Sequence, residues 1–176
     1  SRVRVECYRK GAHDAEPTDA PIRIDVHPKW SPLGAARFLD LVETGFFDGV
    51  APSRPVRGFL TQFGIAATEK QREQWRGKTI KDDPPAGIGF QPGTLSFAGS
   101  GGDSRTHEIF VVMPGCDGGQ LSAFGRETWE TPFGELADMA SLQEVGRFYS
   151  YGDMPPWGQG PAPGKIWQQG YEYLRR

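Results

Sequence analysis

Apolar and polar residues alternate along the opening of the chain. Over residues 2–9 the order R-V-R-V-E-C-Y-R puts Val3, Val5 and Cys7 on one face, the period of a half-buried strand. Ile22, Ile24 and Val26 repeat that period over 21–26, and the polar stretch 11–21 between them lets the two runs pair as antiparallel neighbours. The period then changes. Ser31 is a suitable N-cap, Pro32 suits a first helical position, and Leu33, Ala36, Phe38, Leu39, Leu41 and Val42 lay an apolar stripe that Gly45 stops. This predicts a helix over 31–44. Residues 47–64 read as short strands broken by turns, 65–92 as a long polar loop, and 94–98 and 108–113 as two further strands joined through the flexible Gly99-Ser100-Gly101-Gly102. Another strand is expected over 121–126. Met139, Leu142 and Val145 recur at helical spacing, predicting a second amphipathic helix over 138–148. The Pro/Gly-rich run 151–164 follows, and 165–174 regains order of undecided type. Many short strands, two helices and no alternating strand–helix units point to a mainly β domain, sandwiched or closed.

Composition narrows the function classes. With 176 residues the chain is long enough for one domain with its own core, and 37% hydrophobic and 24% charged residues suit a soluble protein. A net charge of −2, with no basic run, favours neither nucleic acid nor an anionic membrane. No apolar stretch approaches the ~20 residues that span a bilayer. Twenty-four glycines and fifteen prolines agree with many turns. The chain opens at Ser1 and stops at Arg175-Arg176, as a trimmed piece or the ordered part of something longer would, so the compartment stays open. Cys7 and Cys116 read as two free thiols.

Two blocks carry a resemblance. Phe47-Asp48-Gly49-Val50 leads to Ser53-Arg54-Pro55-Val56-Arg57-Gly58-Phe59-Leu60-Thr61-Gln62-Phe63-Gly64. Further on, Gly93-Thr94-Leu95-Ser96-Phe97-Ala98-Gly99-Ser100-Gly101-Gly102 leads to Thr106-His107-Glu108-Ile109-Phe110-Val111-Val112. In order and spacing these resemble the signature of the cyclophilins, over roughly residues 2–148. The resemblance implies a closed eight-stranded antiparallel barrel capped by two helices, here with 149–176 as an extension packed on the barrel of a single 1–176 domain. It implies a peptidyl-prolyl cis/trans isomerase that assists protein folding and holds proline-containing polypeptides in a surface groove, without cofactor or metal. Arg54 would donate to the prolyl nitrogen and Gln62 would orient Arg54. Phe59, Leu60, Phe110 and Leu121 would form the proline pocket, while Ala98 and Gly99 would line the groove and hydrogen-bond substrate backbone.

Some positions depart from the family pattern. Ser53 and Leu121 stand where the family has His, Gly99 where it has Asn, and Cys116 where it often has a Trp that binds cyclosporin, so weak cyclosporin binding is expected. Glu108 replaces a groove-facing Gln. A carboxylate there is expected to pair with Arg54 and compete for its donors, and Glu108→Gln would then raise kcat/KM. An alternative reading is therefore a catalytically weak or inactive interaction module, such as a subunit of a larger assembly. Without the surrounding match, an Arg before a Pro is ordinarily a surface residue, and Phe59 and Phe110 would ordinarily be core. His13, His27 and His107 lack metal-ligand spacing, the glycine run lacks the Lys-Ser/Thr of a phosphate loop, and Asp82-Asp83 lacks a calcium-loop pattern. Trp129, Trp157 and Trp167 offer either a docking surface or packing for the tail.

Overall fold

The computed structural model describes residues 1–10 and 15–175. The opening alternation breaks into two strands. β1 (Arg2–Val5) pairs with β4 (Ile22–Val26), with Val3 opposite Ile24, while β2 (Tyr8–Lys10) and β3 (Ala15–Pro17) form a separate ribbon. β4 buries Ile22, Ile24 and Val26 and leaves Arg23 and Asp25 outward, as its period requires.

The first helix, α1 (Pro32–Glu43), begins where Ser31-Pro32 predicts and buries Gly34, Ala35, Phe38 and Leu41. Leu33 is 45% exposed and Ala36 is exposed too, so the buried face starts at Gly34 and Ala35 instead. Ser31 does not cap the helix with its side chain. Its hydroxyl donates to the carboxylate of Asp83, and that carboxylate accepts the amides of Leu33 and Gly34, each at 2.9 Å. A negative charge brought in from far along the chain thus satisfies the helix start. Arg105, fully buried, donates to the same carboxylate at 3.0 Å. Burial raises the Asp83 carboxyl, and these hydrogen bonds together hold it below its ordinary value.

The region expected to be a loop contains α2 (Glu69–Trp75), which buries Trp75 and sends the Arg72 guanidinium to the carbonyls of Ala66 and Ala67. The remaining strands are β5 (Pro52–Val56), β6 (Leu60–Phe63), β7 (Thr94–Phe97), β8 (Ile109–Val112) and β9 (Gly134–Leu136). They form an antiparallel sheet in the order β1-β4-β9-β7-β8-β6-β5. The sheet has seven strands, and among the described residues no ladder joins β5 to β1, so the eighth strand and the closure are not seen there. The segment 121–126 is not a strand. Asp117 and Gln120 form a capping box that starts α3 (Gly118–Ala123). α4 (Met139–Gly146) is the second expected helix. It is capped by Asp138 and buries Leu142 and Val145 but leaves Met139 66% exposed. The chain continues into α5 (Pro163–Gln169) and a 3₁₀ turn (Gly170–Arg175). No helix among the described residues is long and apolar enough to cross a membrane.

Side-chain alternation divides the sheet into two faces. Ile109 and Val111 of β8 join Leu95, Phe97, Phe38, Leu41 and Phe133 in the main core. Their neighbours Phe110 and Val112 join Leu60 in a second apolar cluster. Gln62 lies opposite Phe110, and Arg54 opposite Gln62. One row across three strands therefore carries Arg54, Gln62 and Phe110 to the face away from the main core.

Candidate functional site

The row of cross-strand partners sets the site geometry. Arg54 Nη1 donates to Gln62 Oε1 at 3.4 Å, and the guanidinium lies 5.7 Å from the centre of the Phe59 ring. Gln62 Nε2 donates to Glu108 Oε2 at 2.9 Å. Leu60 and Phe110 are buried beneath, with Phe59, Ala98 and Leu121 packed against them. The structure thus gathers Arg54, Gln62, Phe59, Leu60, Ala98, Glu108, Phe110 and Leu121 on one patch. Leu121 reaches it from α3 rather than from a strand.

Glu108 does not take the partner expected of it. It bonds Gln62 and not Arg54, because β6 lies between β5 and β8. It also accepts a hydrogen bond from the Trp167 side chain of α5. Desolvation raises the Glu108 carboxyl, against the opposing pull of the hydrogen bonds from Gln62 and Trp167. Gly99 sits under Trp129. A Cβ at Gly99 would fall 2.6 Å from the indole ring and 2.8 Å from Ser104 Oγ, so no side chain fits there. Ser53 points to the other face, buried, with its hydroxyl donating to the Gln62 carbonyl at 3.3 Å. Cys7 and Cys116 are free thiols, and Cys116 donates to the Phe59 carbonyl at 3.1 Å.

Several residues at the patch were invisible to sequence reasoning. Phe124 stacks on Phe59 (5.3 Å), Phe110 (5.4 Å) and Phe90 (5.5 Å), covering the apolar cluster. Phe90 lay in the presumed loop and Phe124 in the presumed strand. Asp153, from the segment between α4 and α5, grips Arg54 with Oδ1 2.6 Å from Nε and Oδ2 3.0 Å from Nη2. Burial raises the Asp153 carboxyl, but the hydrogen bond and charge of Arg54 outweigh that and hold it below its ordinary value. Trp129, Trp157 and Trp167 differ in surroundings. Trp129 covers Gly99, Trp167 contacts Glu108 and lies 5.4 Å from the His107 ring, and Trp157 is 69% exposed beside Arg54. A concavity of about 290 Å³ lined by Ala51, Tyr149, Tyr151 and Tyr171 includes none of the patch residues.

His27 and His107 have structural surroundings. His27 stacks on Trp30 at 4.0 Å and meets Glu135 at 3.1 Å. His107 is buried, with Nδ1 2.8 Å from the Gly64 carbonyl. His13 lies outside the described residues. Among the described residues no three His, Cys, Asp or Glu side chains gather as metal ligands would.

Comparisons with known proteins bear on the family of the chain. The chain is 31% identical over 113 residues to peptidyl-prolyl cis-trans isomerase CYP65 of Arabidopsis thaliana, covering 63% of this chain and 19% of that protein. It is 25% identical over 141 residues to peptidyl-prolyl cis-trans isomerase A of Dickeya dadantii, covering 76% and 73%. The chain thus spans about a fifth of the length of the plant relative. Its fold is similar to that of a cyclophilin-type isomerase of Cryptosporidium parvum solved in the presence of the dipeptide Ala-Pro. The TM-score is 0.59 at 16% identity, covering 82% of this chain and 87% of that one. The model of the family described as cyclophilin type peptidyl-prolyl cis-trans isomerase/CLD matches residues 14–143. With that match over most of its length, the chain belongs to the cyclophilin-type peptidyl-prolyl cis-trans isomerase family.

Proposed function

We propose that this chain is a peptidyl-prolyl cis/trans isomerase unit whose groove is the Arg54–Gln62–Phe110 patch. The observation that carries this reading is a guanidinium held against an aromatic ring, with a buried apolar floor beside it on the same sheet face. Rotation about a prolyl bond faces a barrier of ~18–20 kcal/mol from amide resonance, and needs no nucleophile or metal. It needs groups that favour the twisted bond over both planar forms. As the bond twists, the nitrogen lone pair localises. Arg54, always charged, donates to it, with Gln62 orienting the fork. Phe59, Leu60, Phe110 and Leu121 anchor the proline ring, and the main chain at Ala98 and Gly99 lines the groove and hydrogen-bonds substrate backbone. Residues 1–176 act as one unit with 149–176 as its extension. Cyclosporin binds weakly, because Cys116 and Leu121 offer neither an indole nor an imidazole.

The test is a protease-coupled assay on an Ala-Pro tetrapeptide. Arg54→Ala should lower kcat/KM by about 10²-fold, the scale for deleting one preorganised donor. Equal rates for the two proteins would remove the assignment. One observation favours a second reading, a binding module with little turnover: Asp153 and Phe124 occupy the guanidinium and the apolar cluster. Binding of the peptide without acceleration of its isomerisation would select it.

A further inference from the structure

The segment that holds Arg54 is built to do so. Asp153 and Arg54 are 18% and 14% exposed at their side chains, and the guanidinium lies between Phe59 at 5.7 Å and Trp157 at 6.0 Å. Nε and Nη2 are committed to Asp153 and Nη1 to Gln62. The turn that presents Asp153 closes on itself. The Asp153 carbonyl accepts the Gly160 amide at 2.7 Å, and the Met154 carbonyl accepts those of Trp157 and Gly158 at 3.0 and 3.1 Å. A Cβ at Gly158 would fall 2.5 Å from the Asp153 carbonyl oxygen, so this turn depends on glycine there. Downstream the chain is fastened by Ile166, fully buried, and by the Tyr171 hydroxyl, which accepts the Ala51 amide and donates to the Ile65 carbonyl, each at 2.7 Å.

We propose that residues 149–160 are a built-in competitor for the groove, in which Asp153 masks the guanidinium and an X-Pro segment must displace it to react. This rests on the role given to Arg54 above. A bidentate charge-assisted pair is stronger than the bond Arg54 can offer a neutral prolyl nitrogen. The competitor is also tethered, at an effective concentration on the order of millimolar. Dilute neutral segments therefore meet a closed site, and turnover is set by how readily the strap lifts.

The full chain is assayed on the Ala-Pro tetrapeptide as wild type, Asp153→Asn, Gly158→Ala, Arg54→Ala and the Asp153→Asn/Arg54→Ala double variant. Asp153→Asn should raise kcat/KM by about tenfold, since an amide loses the charge assistance. Gly158→Ala should raise it in the same direction, and the gain should vanish in the double variant. An unchanged or lowered kcat/KM in Asp153→Asn, with a native circular-dichroism spectrum, overturns the inference and makes Asp153 a positioning residue. Should wild type and Arg54→Ala be equally inactive, the isomerase reading fails and the strap is judged by binding. Peptide Kd, followed by NMR, should then tighten at least about fivefold in Asp153→Asn, and an unchanged Kd overturns the inference.

Discussion

Glu108 hydrogen-bonds an amide on one side and an indole on the other, and that pairing decides what its substitution does. Because it touches Gln62 and not Arg54, Glu108→Gln frees no guanidinium. It should leave kcat/KM within about threefold of wild type, since a neutral partner for the Gln62 amide remains. Glu108→Leu strips Gln62 of that partner and should lower kcat/KM further, mainly through kcat, in the same peptide assay. His107 bears on stability. Burial lowers its pKa to about 4, outweighing the hydrogen bond to Gly64, and the charge of Arg37 adds to the lowering. The unfolded chain takes its proton near pH 6.5, the folded chain only near pH 4. Stability is therefore whole above pH 6.5 and falls as pH drops through that window, by about 3 kcal/mol. Urea unfolding of wild type and His107→Phe at pH 7 and pH 4.5 would check this. A wild-type drop no larger than the variant's would place the proton elsewhere.

At the scale of elements, the long patterned ones were legible and the short ones were not. α1 declares itself through Ser31-Pro32 and an apolar stripe, and β4 through strict alternation. α2, with the sequence EKQREQW, has one large apolar residue and therefore no stripe to read. β9 has three residues, too few for a period, yet it pairs with both β4 and β7 and joins the two halves of the sheet. A Cβ at Gly134 would fall 2.7 Å from the Asp25 carbonyl oxygen. Gly134→Ala should therefore destabilise the fold by about 1–3 kcal/mol, the range for overpacking, read as a lower urea midpoint. The α1 cap escaped notice because its carboxylate comes from Asp83, fifty residues from Leu33. Asp83→Ala leaves the buried Arg105 without its close carboxylate partner and should cost about 3–5 kcal/mol. Ser31→Ala should cost only about 1 kcal/mol.

For the whole molecule, the two sequence blocks disclosed the patch proposed as floor and cation of the groove, because strand alternation and local order place Arg54, Gln62, Leu60 and Phe110 together. They could not disclose the cover. Asp153 is 99 residues from Arg54, and no local pattern marks an acid that folds back across a sheet. The same holds for Trp167 and for Tyr171, whose hydroxyl ties the extension to Ala51 and Ile65. Tyr171→Phe removes a donor and an acceptor at one stroke and should lower stability by about 1–3 kcal/mol in urea unfolding. Among the described residues no strand pairs with the outer margin of β5, and two of that strand's five residues, Pro52 and Pro55, bring no amide proton. A neighbouring molecule that tries to lengthen the sheet there finds gaps in the row of donors it would need. The margin resists the strand-on-strand growth that leads to fibres, and the protein can leave its sheet open without inviting polymerisation from that side.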